Sequence, residues 1–194
     1  MNYRRFLFLA AISFLSVVGV ALIVSGYFLI RKQIAVHVLE KNAETLKTEY
    51  SPLRVLILSR SDQAVSARCF FYDADGREIA SFERSWNGWE LDVESILVPS
   101  AGRIFVFPSR ISTGQSAPRG GTDLFGYYDT KGFPAIFAST SLNPSTYSAF
   151  SGLFAFIKAF GGTKRDLKRL RDFEVGAVYE FTAYSDGRIV FTRQ

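Results

Sequence analysis

Apolar and polar positions change their period twice along this chain. From Phe6 to Ile30 no charged residue occurs; the run is preceded by Met1-Asn-Tyr-Arg-Arg5 and closes on Arg31-Lys32. A helix needs ~20 apolar residues to cross the hydrocarbon of a bilayer, so the pattern predicts a transmembrane helix over 6–30 behind a short basic N-terminus, 1–5. Gly19 and Gly26 are compatible with it, because lipid drives every backbone group into the helix. Tyr3 and Tyr27 stand near its ends, where aromatic rings favour the interface. A cleaved secretory signal has a shorter apolar core of ~7–15 residues ending at small residues. Val24-Ser-Gly26 resembles a cut site, but Tyr27-Phe-Leu-Ile30 carries the run past it, so an uncleaved anchor is expected.

Residues 31–50 hold good helix formers without glycine or proline until Ser51-Pro52. Ile34, Val38 and Leu39 extend an apolar stripe, and Glu44 stands one turn before Lys47 and Thr48. The expectation is a helical stalk over 31–50, lifting the domain beyond it by roughly 25–30 Å. His37, the only histidine, falls on this stalk, alone, and reads as a solvated or interface residue rather than a ligand.

Beyond Ser51 the period shortens to two. Phe70 to Ile79 reads as a hairpin around Asp73-Ala-Asp-Gly76, Phe125 to Phe133 as another, and Val175 to Phe191 as a third turning at Ser185-Asp-Gly187. Val175, Ala177, Tyr179, Phe181 and Ala183 alternate with Glu174, Glu180 and Thr182, the pattern of a sheet buried on one face. One helix interrupts the strands at 144–160, with Asn143 as N-cap, Pro144 at the first position and Gly161-Gly162 as the stop. Tyr147, Phe150, Phe154 and Ile157 form its stripe, with Leu153, Phe156 and Phe160 beside it. Such a helix packs across a sheet; the alternative is a helix lying in the membrane interface. The fold class is therefore α+β: an anchor and stalk, then an antiparallel sheet of hairpins packed by one apolar helix, in a single domain over 51–194.

The net charge of +5 divides unevenly: residues 1–50 carry +3 and residues 51–194 only +2. The domain is nearly balanced, which removes a global footprint for nucleic acid. Flanking charges on the anchor also nearly balance, so the positive-inside rule does not fix sidedness. A large domain after the anchor and a short basic lead before it favour an extracytoplasmic domain on a cell membrane. The single cysteine, Cys69, excludes an internal disulfide and reads as a small strand side chain.

Three features suggest contact with a partner. Asn87-Gly88 is a strong two-residue hairpin signal, which would set Trp86 across from Trp89, Arg84 from Leu91 and Phe82 from Val93. Both tryptophans would then share a tip, either as a cross-strand pair that pins the hairpin's register or as a surface suited to a sugar ring, a protein pocket or a lipid interface. The opposite face would carry Glu83, Glu90, Asp92 and Glu94, a solvated face or a weak site for a hard cation. Lys164, Arg165, Lys168, Arg169 and Arg171 form a basic cluster, capped by Thr163 and compatible with a helix docked by Leu167 and Leu170. It reads as a solvated face or a contact for an anionic polymer, lipid headgroups or an acidic partner. The stretch from Ser109 to Thr122 lacks periodicity, and Arg119-Gly-Gly-Thr122 has the makings of an anion nest. Asp73-Ala-Asp-Gly76 lacks the further ligands of a calcium loop and is a turn.

No histidine lies past Ser51, which excludes histidine-dependent nucleophilic catalysis and histidine zinc sites from the domain. No glycine fingerprint for a nucleotide precedes a helix, and no cofactor or metal site is expected. The composition favours a non-catalytic binding or assembly component of the cell envelope, tethered to the bilayer and holding a protein or envelope-polymer partner. A sensor or ligand-binding domain is the alternative, although five residues before the anchor leave no room for an output domain. A carboxylate-pair hydrolase, which leaves no sequence signature, is the third reading.

Overall fold

Leu53, Val55 and Ile57 are buried along strand β1 (Glu49–Arg60), while Arg54 and Leu56 between them are only half-buried. The same alternation runs through β2 (Ala64–Tyr72) and the first half of β10 (Val178–Tyr184), with β3 (Glu78–Asn87) and β11 (Ile189–Arg193) more exposed at the two edges. These five strands form one antiparallel sheet in the order β11-β10-β1-β2-β3. Leu53 lies beside Phe71 and Phe181, and Val55 beside Cys69 and Tyr179, so registry gathers the apolar side chains on one face. The other face is polar: Arg54 binds Glu180 at 2.8 Å and Arg68 stands 3.6 Å from Glu83. The α+β class expected from the pattern is the class observed.

This computed structural model describes residues 3–42, 46, 48–100, 102–114, 121–161 and 164–194, with side chains from residue 13 onward. A second antiparallel sheet has β4 (Leu91–Ser100) between β5 (Arg103–Ser112) and β9 (Lys164–Leu170), with the two-residue β6 (Thr122–Asp123) beyond β5. One hydrophobic cluster unites both sheets.

Between β6 and the long domain helix, a helical turn α2 (Phe125–Tyr128) precedes a two-residue hairpin of β7 (Asp129–Thr130) and β8 (Phe133–Pro134). Lys131 and Gly132 both take positive φ, 54° and 86°, as a type I′ turn requires. The hairpin expected over 125–133 is thus confined to its second half. A 3-10 turn (Ala135–Phe137) comes next and supplies Phe137 to the core.

Helix α3 (Pro144–Phe160) starts and stops as its sequence dictates. The Asn143 side chain accepts the Thr146 N–H at 2.8 Å, and Gly161 closes it at φ 78° with its N–H on the Ile157 carbonyl. Phe150 stacks on Phe137 at 4.5 Å and meets Phe105 edge-on at 5.3 Å, and Phe154 stacks on Phe107 at 6.1 Å. Phe150, Phe154 and Ile157 are fully buried. The interfacial-helix alternative is therefore corrected: this stripe belongs to the core, and only Tyr147 and Phe160 remain exposed.

The free edge of β5 is closed by side chains and a turn. Tyr50 Oη accepts the Val106 N–H at 2.9 Å and donates to the Val106 carbonyl at 2.8 Å. Ile104 N–H donates to the Ser185 carbonyl at 2.7 Å, and Tyr128 Oη donates to the Pro108 carbonyl at 2.7 Å. An exposed edge would leave these groups to water or to another chain.

Helix α1 spans Tyr3–Lys41, about 58 Å at 1.5 Å per residue. Its stretch Ser13–Lys41 is long and apolar enough to cross a membrane, with mean hydropathy 2.2 in a window of which none is buried. The expected stalk over 31–50 is corrected in two respects. The helix ends at Lys41 and β1 begins at Glu49, before Pro52 could act as the stop. Its last turns also do not stand clear of the domain but lie antiparallel along α3. Phe28 meets Phe160 at 5.4 Å, Lys32 sits 4.9 Å over the Phe156 ring, and Asn42 Oδ1 accepts from Asn143 Nδ2 at 2.9 Å. A step of about one turn on α1 is answered by one turn back on α3. The approach is close because α3 turns small residues, Ser145, Ala149 and Gly152, towards the groove that Ala35 and Val38 share. Ala35 and Leu39 are 2% and 1% exposed, so the end of α1 is part of the core. The expected pairing of Glu44 with Lys47 lies outside the described residues.

Candidate functional site

The Trp86–Trp89 tip is not formed. Trp86 stands one residue before the end of β3, pairs across to Val65 on β2, and is 4% exposed with its indole N–H donated to Thr122 Oγ1 at 3.0 Å. Trp89 lies in the crossing between sheets and is 42% exposed. The Asn-Gly signal misleads for a conformational reason: a type I′ turn needs positive φ at both residues, and Asn87 stays extended, paired with Ala64. Gly88 takes φ 124°, and a Cβ there would meet Thr113 Cβ at 2.8 Å. That glycine serves a close crossing from one sheet to the other, where the Thr113 hydroxyl donates to the Asn87 carbonyl. Arg84 consequently faces Ala67 and Phe82 faces Cys69, not Leu91 and Val93.

The basic cluster is a strand rather than a helix, and it pairs with the acidic face. On β9, Arg169 lies across from Asp92 of β4 and Arg165 across from Ile96. Arg165 reaches Glu94 at 2.8 Å, Arg169 reaches Asp92 at 2.7 Å, and Arg171 reaches Glu90 at 2.8 Å. The Asp92 hydrogen bond, and then the charges of Asp92 and Glu90, hold the Arg169 guanidinium above its ordinary pKa. Leu170 docks the strand, but Leu167 is 50% exposed, so the two leucines do not share a helix face. Three of the five cations thus stabilise the sheet, as opposite charges across strands do. Lys164 remains exposed, and among the described residues the one ion-pair contact of Lys168 is with Asp166 at 3.5 Å. The expected cap at Thr163 and the first half of the Arg119-Gly-Gly-Thr122 nest, Arg119 and Gly120, lie outside the described residues.

Among the described residues no group of three His, Cys, Asp or Glu side chains lies close enough to hold a metal. Asp73 acts as a turn residue, its carboxylate accepting the N–H groups of Asp75 and Arg77 at 2.9 Å.

A cavity of about 160 Å³ lies where β1, β5, the 3-10 turn and α3 converge. Its apolar wall is an aromatic stack: Phe105, Phe137 and Phe150 in mutual contact, with the Tyr50 ring 5.2 Å from Phe137. Arg103 and Asp75 supply its charges. Asp75 accepts the Thr140 N–H at 2.7 Å and Arg77 at 3.1 Å; the Thr140 amide is the main reason its carboxyl lies below the ordinary carboxylate range. Sequence reasoning missed this site because its members come from five separate segments. Arg103 comes just after a turn at Gly102 and carries no local pattern that sets it apart.

No family model, curated protein or solved structure matches this chain.

Proposed function

We propose that this chain is a single-pass membrane-anchored, non-catalytic binding or assembly component of the cell envelope, with its β-rich domain outside the cytoplasm. The observation that carries the reading is the continuity of α1: one helix is apolar enough to span a bilayer and then buries Ala35 and Leu39 in the domain. A domain joined to its anchor in this way is held at the membrane surface with Phe160 near the bilayer, rather than on a loose tether. The surface proposed for a partner lies around β9 and the neighbouring crossing, where Trp89, Leu167 and Lys164 are exposed and Lys168 is half-buried. Protease accessibility in intact cells tests the sidedness. Photo-cross-linking from position 89 tests the contact: a discrete adduct lost on Lys168→Glu supports it, and uniform labelling without one contradicts it.

A second reading, a ligand-binding domain on the same anchor, is favoured by the cavity beside Tyr50 and Phe137. The hydrolase reading is weaker. Among the described residues Asp75 is the one acidic residue lining that cavity. The more open recess next to it has four, Glu49, Asp73, Asp75 and Glu180, but Glu180 is bound to Arg54, Asp73 to its turn and Asp75 to Thr140 and Arg77.

A further inference from the structure

The cavity has a polarity that names its ligand. Three phenylalanine rings and the face of Tyr50 make its body, and the Tyr50 hydroxyl is spent, donating to one Val106 backbone group and accepting from the other. A ligand therefore meets the ring rather than the phenol. Arg103 lines the same space, and the one hydrogen bond of its guanidinium among the described residues goes to the Leu46 carbonyl at 2.8 Å. A guanidinium offers five N–H donors in a planar fork matched to a carboxylate, and here no carboxylate among the described residues takes them. Asp75 does not, because Thr140 and Arg77 already hold it. The volume sets the size: a dry apolar cavity of about 150 Å³ accepts benzene, so about 160 Å³ accommodates one ring or a short branched chain.

We infer that this cavity binds a small monocarboxylic acid with a single-ring or short acyl body, its carboxylate on Arg103 and its body against Phe105, Phe137 and Phe150. The inference rests on the ligand-binding reading and narrows it to one chemical class. Leu46 and Tyr50 lie just after α1, so an occupied cavity would stiffen the junction between anchor and sheet.

The test uses the full chain in zwitterionic nanodiscs, with empty discs as control. Phenylacetate, ionised at pH 7, is compared by calorimetry with its neutral isostere phenylacetamide. Phenylacetate should bind about tenfold more tightly, the scale of one charge-assisted pair. Arg103→Gln should remove that advantage while leaving phenylacetamide unchanged, Arg103→Lys should restore part of it, and Leu142→Trp, which fills the cavity, should abolish both. Circular dichroism melts identify any variant that fails to fold. Equal affinity for the two probes, or no effect of Arg103→Gln, overturns the carboxylate assignment but leaves the ligand-binding reading standing. Absence of saturable binding by either probe overturns both.

Discussion

Asp92 on β4 and Arg169 on β9 face each other across the second sheet, joined by two hydrogen bonds of 2.7 and 3.3 Å, with the Asp92 side chain only 3% exposed. Breaking such a pair from the arginine side leaves a buried carboxylate without its counter-charge, which costs more than losing an exposed pair. Arg169→Ala should therefore lower the urea midpoint more than Arg165→Ala or Arg171→Ala, whose guanidiniums are largely in water. Equal, small effects for all three would mean that β9 is held by its backbone alone.

The two tryptophans should behave as residues of different kinds. Trp86→Ala removes a core side chain and should cost about 3–5 kcal/mol, whereas Trp89→Ala should stay within about 0.5 kcal/mol. Thr122→Val, which leaves the indole N–H without its acceptor, should cost about 1 kcal/mol. Equilibrium unfolding in mild detergent gives all three values.

Gly88→Ala places a methyl against Thr113 at a φ that L-residues avoid. A loss of about 2–3 kcal/mol is expected from strain and overpacking together. If position 88 were the tip of an open hairpin, the same change would disturb only the turn, and Thr113→Ala would not rescue it. At the observed crossing, Thr113→Ala should relieve the clash and recover part of the loss.

Burial pushes the Cys69 thiol up to about 12 from its ordinary 9.0. Below pH 9.0 the thiol is protonated whether the chain is folded or not, and its contribution to stability is intact. Between 9.0 and about 12 the unfolded chain ionises first, so that contribution is lost as pH rises. Cys69→Ala should flatten part of the alkaline stability loss; Tyr50 and Tyr128, also raised by burial, account for more of it. A thiol reagent at pH 8 should leave the native protein unlabelled and react on unfolding.

Local periodicity controls the features that are legible in the sequence. The caps of α3, its buried stripe, the turn at Asp73–Gly76 and the alternation through Tyr179, Phe181 and Ala183 are set by neighbours within a few residues. Val175 fits that alternation but is 57% exposed, because β10 begins only at Val178. Local pattern misleads where distant segments compete. Asn87-Gly88 has hairpin chemistry, yet β2 pairs with β3 while β5 and β9 pair with β4, so the residues between become a crossing. Leu167 and Leu170 have helical spacing, but acidic β4 offers this basic segment a strand partner far away in sequence. The Arg103 cavity has no local signature at all.

The central claim is that the last turns of α1 are part of the domain, and one measurement addresses it directly. A Cβ built at Gly152 lies 3.9 Å from the Ala35 Cβ, inside the ~3.5–4.5 Å range that a disulfide spans. In the double variant Ala35→Cys, Gly152→Cys, mild oxidation of native membranes should close an intramolecular disulfide rapidly, seen as a reducible shift in gel mobility. Cys69 is fully buried and should not compete. A domain carried on a free-standing stalk would hold these residues apart, and failure of the cross-link to form in a folded protein would contradict the account.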